Sequence, residues 1–321
     1  MVTAFKYFLN RIPLIGTFLK YGAGNFIQRR NDKKNTTFFN YNKNIKDSRE
    51  YDITKVHKTN SLYKDRFYEV TNFFNKNLFQ MAIHYLVNGT PNTSYYKFRL
   101  QQIFERMGLN EDKLKLAYEK AAFMYTNRLM LRYHNYRVGV LILEIANRLS
   151  LDKDKIDVLD YGCGVADPSL YLALSGVTVT IVDLDDKKLD FAIWRFKKRN
   201  LRVNSIRAAQ TEKPIDLGNK KYDIIIMAEF MEHVRNPRLF LEFAVKHLHD
   251  RHGILYDSLG PIHNHGVAGD HLKEAKEIVA HSDYPLFFKK MLSPLNAIFD
   301  TDEFEHFYMK QPVNSRQSFA S

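Results

Sequence analysis

The sequence predicts an α/β protein, a mostly parallel sheet with helices on both faces that follows an N-terminal helical region. After Leu151, short β-rich runs (Ile156 to Asp160, Val177 to Asp183, Tyr222 to Ala228 and Ile254 to Ser258) alternate with amphipathic helical stretches. Such alternation is the signature of parallel strands joined by crossover helices. The first run leads through Gly162 and Gly164 into a helix expected from Pro168 or Ser169, a tight turn at the carboxyl edge of a sheet. Ahead of it, from Leu62 to Leu149, apolar residues recur at helical spacing, as in Phe67, Val70, Phe73 and Phe74 and then Leu78, Met81, Ala82 and Tyr85.

Taken in chain order, residues 1–60 read as a basic arm and connector. They hold 12 Lys plus Arg against four Asp plus Glu, so most of the net charge of +12 lies there. The first 31 residues contain no acid and mix Phe5, Phe8, Leu9, Ile12 and Phe18 with Lys6, Arg11 and Lys20, a composition similar to that of interfacial helices. Pro13 and Gly16 interrupt the pattern. Packing on the chain's own body or on a protein partner is the expectation, with peripheral membrane attachment as the alternative. Asn, Lys, Asp and Thr dominate from Arg29 to about Asn60, as in an extended connector. Residues 61–150 are expected to form a helical cap, broken at Asn88-Gly89-Thr90-Pro91, and residues 151–321 the α/β domain.

Composition narrows the function classes. No run approaches the roughly 18 apolar residues of a spanning helix. The one cysteine, Cys163, excludes an internal disulfide and cysteine-built zinc or iron–sulfur sites within one chain. A reducing cytoplasm is the expected compartment.

The chemistry concentrates in four segments. Glycines at 162 and 164 let the backbone approach a ligand, although Ala166 stands where a third alternate glycine would be. Taken alone the loop is nearly as compatible with a structural turn. The second β run ends in Asp183, 23 residues after Asp160, the distance at which an acid meets ribose hydroxyls. A nicotinamide dinucleotide site would share this geometry, but with three glycines on a strand near the N-terminus. The third segment runs from Tyr222-Asp223 through Met227-Ala228-Glu229-Phe230-Met231-Glu232-His233-Val234. The fourth holds His263, His265 and His271, read as a substrate-contacting or gating loop.

Together, residues 135 to 260 resemble the class I S-adenosylmethionine-dependent methyltransferases, in the order and spacing of the Asp-x-Gly-Cys-Gly loop, the acidic end of the second strand and the Glu-Phe-Met-Glu-His-Val segment. The resemblance implies a Rossmann-like sheet and S-adenosyl-L-methionine as cofactor. Asp160, Gly162, Cys163 and Gly164 would border its methionine portion, Asp183 would bind the ribose hydroxyls, and Leu184, Ala209 and Gln210 would lie beside adenine. Met227 and Ala228 would face the sulfonium. The Glu229-x-x-Glu232-His233 segment is similar to that of ubiquinone-pathway O-methyltransferases and small-RNA 2′-O-methyltransferases, in which such residues hold a magnesium-like ion, with a later histidine such as His271 completing the set. Relatives also carry Glu-His here without metal, as an anchor of the loop, and no metal is the expectation for this chain.

Methyl transfer from a sulfonium is an in-line displacement that the protein promotes chiefly by alignment. A hydroxyl acceptor needs a base, and His233 is the candidate, with the 263 to 271 histidines behind it. Ala228-Glu229-Phe230-Met231 replaces the Asn/Asp-Pro-Pro-Tyr/Phe segment of exocyclic-amine base methylation, and Cys163 sits in the cofactor loop rather than where a cytosine nucleophile belongs. The expected acceptor is a hydroxyl or amine of a small or lipid-like molecule. An RNA methyltransferase gripping phosphates with the basic arm is the first alternative, and a non-catalytic cofactor-fold subunit of an assembly the second. The Tyr125 to Tyr136 segment either closes over the cofactor or packs between domains.

Overall fold

The computed structural model describes residues 66–89, 94–107, 111–130, 135–184, 186–210, 212–258, 272–281, 283–299 and 306–311. The basic arm, the connector and the loop carrying His263, His265 and His271 lie outside them. The chain divides into two compact units, one ending at Tyr96 and the other beginning at Lys97.

In the first unit, α1 (Arg66–Phe73) and α2 (Leu78–Asn88) bury Val70 and Met81, two of the eight apolar positions in the expected pattern, while Phe67, Phe73, Phe74, Ala82 and Tyr85 are half-buried. Asn77 opens α2 with a capping box: its side chain accepts from the Gln80 N–H, and the Gln80 side chain accepts from the Asn77 N–H, which satisfies two of the orphan donors of a helix start. The helix stops at Gly89, whose φ of 75° suits glycine best. Leu78 is about half exposed, so the inward face of α2 is narrower than its apolar spacing predicts.

The second unit contains a seven-stranded sheet in the order β3-β2-β1-β4-β5-β7-β6. Its strands are β1 (Asp157–Tyr161), β2 (Thr178–Leu184), β3 (Asn204–Ala208), β4 (Ile224–Met227), β5 (Ile254–Asp257), β6 (Leu292–Pro294) and β7 (Phe307–Lys310). The first five pair in parallel, and β7 runs antiparallel to both β5 and β6. Every residue of β4 and all but the first of β2 are buried, as a parallel sheet covered on both faces requires. Each β run of the sequence becomes a strand, with ends displaced by a residue or two.

The helices alternate with the strands: α3 (Ser94–Met107), α4 (Glu111–Met130) and α5 (Asn135–Arg148) precede β1, and α6 (Asp167–Leu174), α7 (Lys187–Lys198) and α8 (Pro237–His247) follow β1, β2 and β4. Then α9 (Lys273–Ala280), α10 (Asp283–Met291) and the short α11 (Asn296–Phe299) complete the described chain around β6. Helix α5 packs along α6, and α4 packs on α7, so the two helices before β1 belong to the α/β unit. Among the described residues no helix is long and apolar enough to cross a membrane.

One buried ion pair locks the first two crossovers together. Arg195 of α7 is fully buried, with Nη1 donating at 2.8 Å to Asp167, the first residue of α6, and at 2.5 Å to the Val165 carbonyl. Removing one member of such a pair strands a buried charge, at about 3–5 kcal/mol. Arg195→Met is therefore expected to lower the unfolding free energy by roughly that amount. Adding Asp167→Asn should recover part of the loss, both read from urea unfolding curves. A single variant within about 1 kcal/mol of the parent would show that the pair does not pin the turn.

Candidate active site

The parallel strands order their carboxyl ends along one edge, and the connections leaving β1 and β4 depart to opposite sides there. That divergence opens a crevice at the edge of an α/β sheet. Asp160 lies in β1 and Gly162, Cys163 and Gly164 follow it, Asp183 and Leu184 end β2, Ala209 and Gln210 follow β3, and Met227 ends β4 with Ala228 just after it. All the residues expected at the cofactor therefore share this edge. Met227 is fully buried, Leu184 nearly so, Ala209 exposed, and Ala228 and Gln210 in between.

The turn after β1 takes a left-handed backbone at alternate positions, with φ of 74° at Gly162, 58° at Gly164 and 55° at Ala166. A side chain at Gly162 would run into the Phe230 ring. Ala166 is the third position of the alternating pattern, and the structure gives it the conformation a glycine would have adopted without strain. The turn is held to β2 at three points: the N–H groups of Gly162 and Cys163 both donate to the Val182 carbonyl, at 2.8 and 3.0 Å, and that of Gly164 donates to Asp183 Oδ2 at 2.7 Å.

Asp160 is buried and accepts a hydrogen bond from the Ser169 hydroxyl at 2.7 Å. Burial pushes its carboxyl up to about 7; the Ser169 bond opposes this, and Asp183 and Asp167 reinforce it. Burial likewise holds the Cys163 thiol well above its usual range, so it stays protonated and is no nucleophile.

Sequence reasoning did not single out Lys188. Its ammonium, on the first turn of α7, lies 3.0 Å from Asp183 Oδ1 and is almost wholly buried. Burial pulls its pKa down, but Asp183 and Asp186 more than compensate and raise it overall. Lys188 also sits under two rings of α4, 5.0 Å from the Tyr118 centroid and 5.5 Å from that of Tyr125. The Leu129 side chain of the same helix approaches Gly164. Thus α4 lies against the glycine turn through Leu129, a member of the Tyr125 to Tyr136 segment for which closure over the cofactor and packing between domains were both expected. Tyr118 falls about two turns before that segment, and its part depends on how α4 packs on α7 rather than on any local pattern. Residues 131–134 lie outside the described set.

After β4 the backbone turns sharply. Glu229 has a φ of 51°, rare for a residue with a side chain, and its N–H donates to the Ser258 hydroxyl at 2.6 Å. Strain of this kind collects at functional sites. Phe230 packs tilted on Tyr161 and edge-on against Phe240, with centroids 5.1 and 5.2 Å away, and its ring lies against Gly162 of the turn. Next, Met231, Glu232 and His233 form one 3₁₀ turn. His233 Nε2 lies 3.9 Å from the buried Glu232 carboxylate, and Nδ1 lies 3.4 Å from the Tyr118 hydroxyl. Glu229 is exposed, on the far side of the turn from that pair in sequence. Among the described residues, the three side chains that bring ligand atoms within 4.8 Å of one another are not these but Asp223, His249 and His252.

Residues 130–275 match the family model for a methyltransferase domain. The chain is 30% identical over 143 residues to the ubiquinone biosynthesis O-methyltransferase of Rickettsia akari (strain Hartford), covering 43% of this chain and 56% of that protein. The corresponding protein of Rickettsia prowazekii (strain Madrid E) is 29% identical over 145 residues, covering 44% and 56%. The chain therefore spans about half the length of the curated relatives it matches. Among solved structures it is similar to an S-adenosylmethionine-dependent methyltransferase from Clostridium acetobutylicum ATCC 824, at 20% identity and a TM-score of 0.35, over 43% of this chain and 55% of that one. With the sheet order and the glycine turn, the match over residues 130–275 makes that segment similar to the methyltransferase domains of the class I S-adenosylmethionine-dependent family.

Proposed function

We propose that the protein transfers the methyl group of S-adenosyl-L-methionine to a hydroxyl of a small or lipid-like acceptor, with an amine as the second acceptor class. The observation that carries the reading is His233, held between the Glu232 carboxylate and the Tyr118 hydroxyl at the edge where the glycine turn and Asp183 converge. The similarity to the ubiquinone biosynthesis O-methyltransferases of Rickettsia supports an oxygen acceptor of lipid-like character.

The donor set fits the cofactor: a glycine turn with backbone open to close approach, a buried acid on β1, a second acid at the end of β2 and an apolar floor at Met227. When bound, S-adenosylmethionine supplies an electrophilic methyl on a sulfonium. Asp160 would accept from its ammonium group and Asp183 from its ribose hydroxyls, and Leu184, Ala209 and Gln210 would hold the adenine. Lys188 shares Asp183 Oδ1 with the Leu184 N–H, which donates at 2.8 Å; Oδ2, with one partner at Gly164, is the oxygen with more acceptor capacity left. Leu129 and the tyrosines of α4 exclude water. The His233 imidazole takes the acceptor's proton, and the Glu232 carboxylate meets the charge that results. No step calls for a covalent enzyme intermediate.

Replacing His233 by Ala is expected to lower kcat for a hydroxyl acceptor by roughly 10²–10⁴-fold, with cofactor affinity unchanged, read by radiolabelled methyl transfer to hydroxylated and amino lipid-like compounds. An unchanged kcat would remove His233 as the base. Calorimetry on Asp183→Ala tests the ribose assignment, which fails if the variant binds S-adenosylmethionine as tightly as the parent. The pH dependence has a defined sign. Asp160, pushed up to about 7 by burial, is neutral in acid and ionised in base, and a cationic ligand favours the ionised form. Cofactor affinity should thus rise between pH 6 and 8, and Asp160→Asn should flatten that rise. A slope that persists in Asp160→Asn would assign it to another group.

A further inference from the structure

At the amino-terminal edge of the sheet, opposite the cofactor crevice, we propose a zinc site formed by Asp223, His249 and His252. The four-residue strand β4 separates it from Met227, so it stands about 13 Å from the catalytic edge.

The cluster is built from the backbone outward. Asp223 and Asp157 are tied both ways: the Asp223 N–H donates to the Asp157 carbonyl at 3.0 Å, and Asp223 Oδ2 accepts from the Asp157 N–H at 2.8 Å. With Oδ2 committed, Oδ1 turns toward the loop between α8 and β5. That loop is stitched in place by the His249 N–H to the Tyr222 carbonyl and the Gly253 N–H to the His249 carbonyl, each at 3.0 Å. The closure is tight enough that a Cβ at Gly253 would sit 2.5 Å from the His249 carbonyl oxygen. It stacks the His249 and His252 rings, with centroids 5.0 Å apart and planes 25° from parallel.

Both imidazoles converge on one oxygen. His252 Nε2 lies 2.5 Å from Asp223 Oδ1, a hydrogen bond, while His249 Nε2 lies 3.8 Å from it, beyond hydrogen-bond reach. Two nitrogens and one carboxylate oxygen all lie within 4.8 Å of one another. Zinc holds such donors at about 2.0–2.2 Å, so in a tetrahedral site neighbouring donors stand a little over 3 Å apart. Moving His249 inward and His252 outward by under 1 Å, with the His252 proton shifted to Nδ1, reaches that spacing. The Asp157 N–H is the outer-shell partner that fixes the carboxylate. Asp250, in the same loop, is engaged by Lys310 at 2.6 Å. Imidazole nitrogen with a single carboxylate selects zinc over magnesium or calcium, which want oxygen. Each of the three side chains keeps partial exposure, leaving water as the fourth ligand. Bound there, zinc would clamp the start of β4 to the start of β5 and leave the cofactor edge untouched.

Zinc titration of the full chain, monitored by competition with a chromophoric chelator, tests the site. The expected result is one tight equivalent that weakens roughly 100-fold or more in His249→Ala/His252→Ala. The His263→Ala/His265→Ala variant should keep that equivalent, which separates the site from the other histidine loop. Asp223→Asn preserves an acceptor for the Asp157 N–H and so the fold, and it too should weaken binding. Cobalt in place of zinc should give the intense visible bands of a four-coordinate centre in the parent and lose them in the double variant. Zinc binding of equal affinity in the double variant and the parent, or no binding by the parent, would overturn the proposal.

Discussion

The hydrogen bond from the Gly164 N–H to Asp183 is the constraint on which the rest of the site depends. It joins the turn after β1 to the end of β2, and with the two N–H groups that share the Val182 carbonyl it leaves the turn little freedom. A turn so fixed can keep three left-handed residues in five positions, one of them alanine. An alanine in that conformation costs about 1 kcal/mol relative to glycine, an amount that three short hydrogen bonds offset. The sequence departs from the alternating glycine pattern at Ala166 without departing from its geometry.

The same carboxylate reaches outward through Lys188. The lysine ties Asp183 to α7, its ammonium lies under two tyrosines of α4, and one of these, Tyr118, reaches His233 after β4. Three elements distant in sequence are thereby coupled through one buried cation. Burying a lysine is unfavourable unless it is paired, so Lys188 and Asp183 constrain each other. A change at either would be felt at His233, through the position of α4 rather than through direct contact.

How much of this was legible in the sequence follows from the range of each signal. The strands, the glycine turn and Asp183 are local or near-local patterns, set by period-two alternation and by backbone requirements at single residues, and they appear where expected. Val70 and Met81 were legible from helical spacing, which marked six further positions in and beside α1 and α2 that the structure leaves half-buried or exposed. Lys188 was not, because on its own helix it reads as one more charged residue among Lys187, Lys197 and Lys198; only the approach of α4 makes it buried. Tyr118 was hidden likewise in a helix of weak amphipathic contrast. Asp223, His249 and His252 escaped notice because the parallel bridge between Tyr222 and Leu248 that brings them together joins segments 26 residues apart. No spacing rule spans such a separation.

The balance of buried charge at the crevice bears on which ligand it suits. Asp160, Asp167, Asp183 and Asp186 are all buried around the turn, against Lys188 and Arg195. Arg195 is spent on Asp167 and Lys188 on Asp183. Burial then raises the carboxyls of Asp160 and Asp186, each with Asp183 adding to the shift. A glycine turn leading into a helix N-terminus would ordinarily attract phosphate, and the backbone here has that form. The acids make the surroundings hostile to an anion and favourable to a cation, which relieves the carboxyl it approaches. The dinucleotide reading and the methyl-donor reading share a backbone and differ in charge: a pyrophosphate brings negative charge to the turn, whereas S-adenosylmethionine carries a sulfonium and an ammonium. Backbone geometry admits both, and electrostatics selects the second.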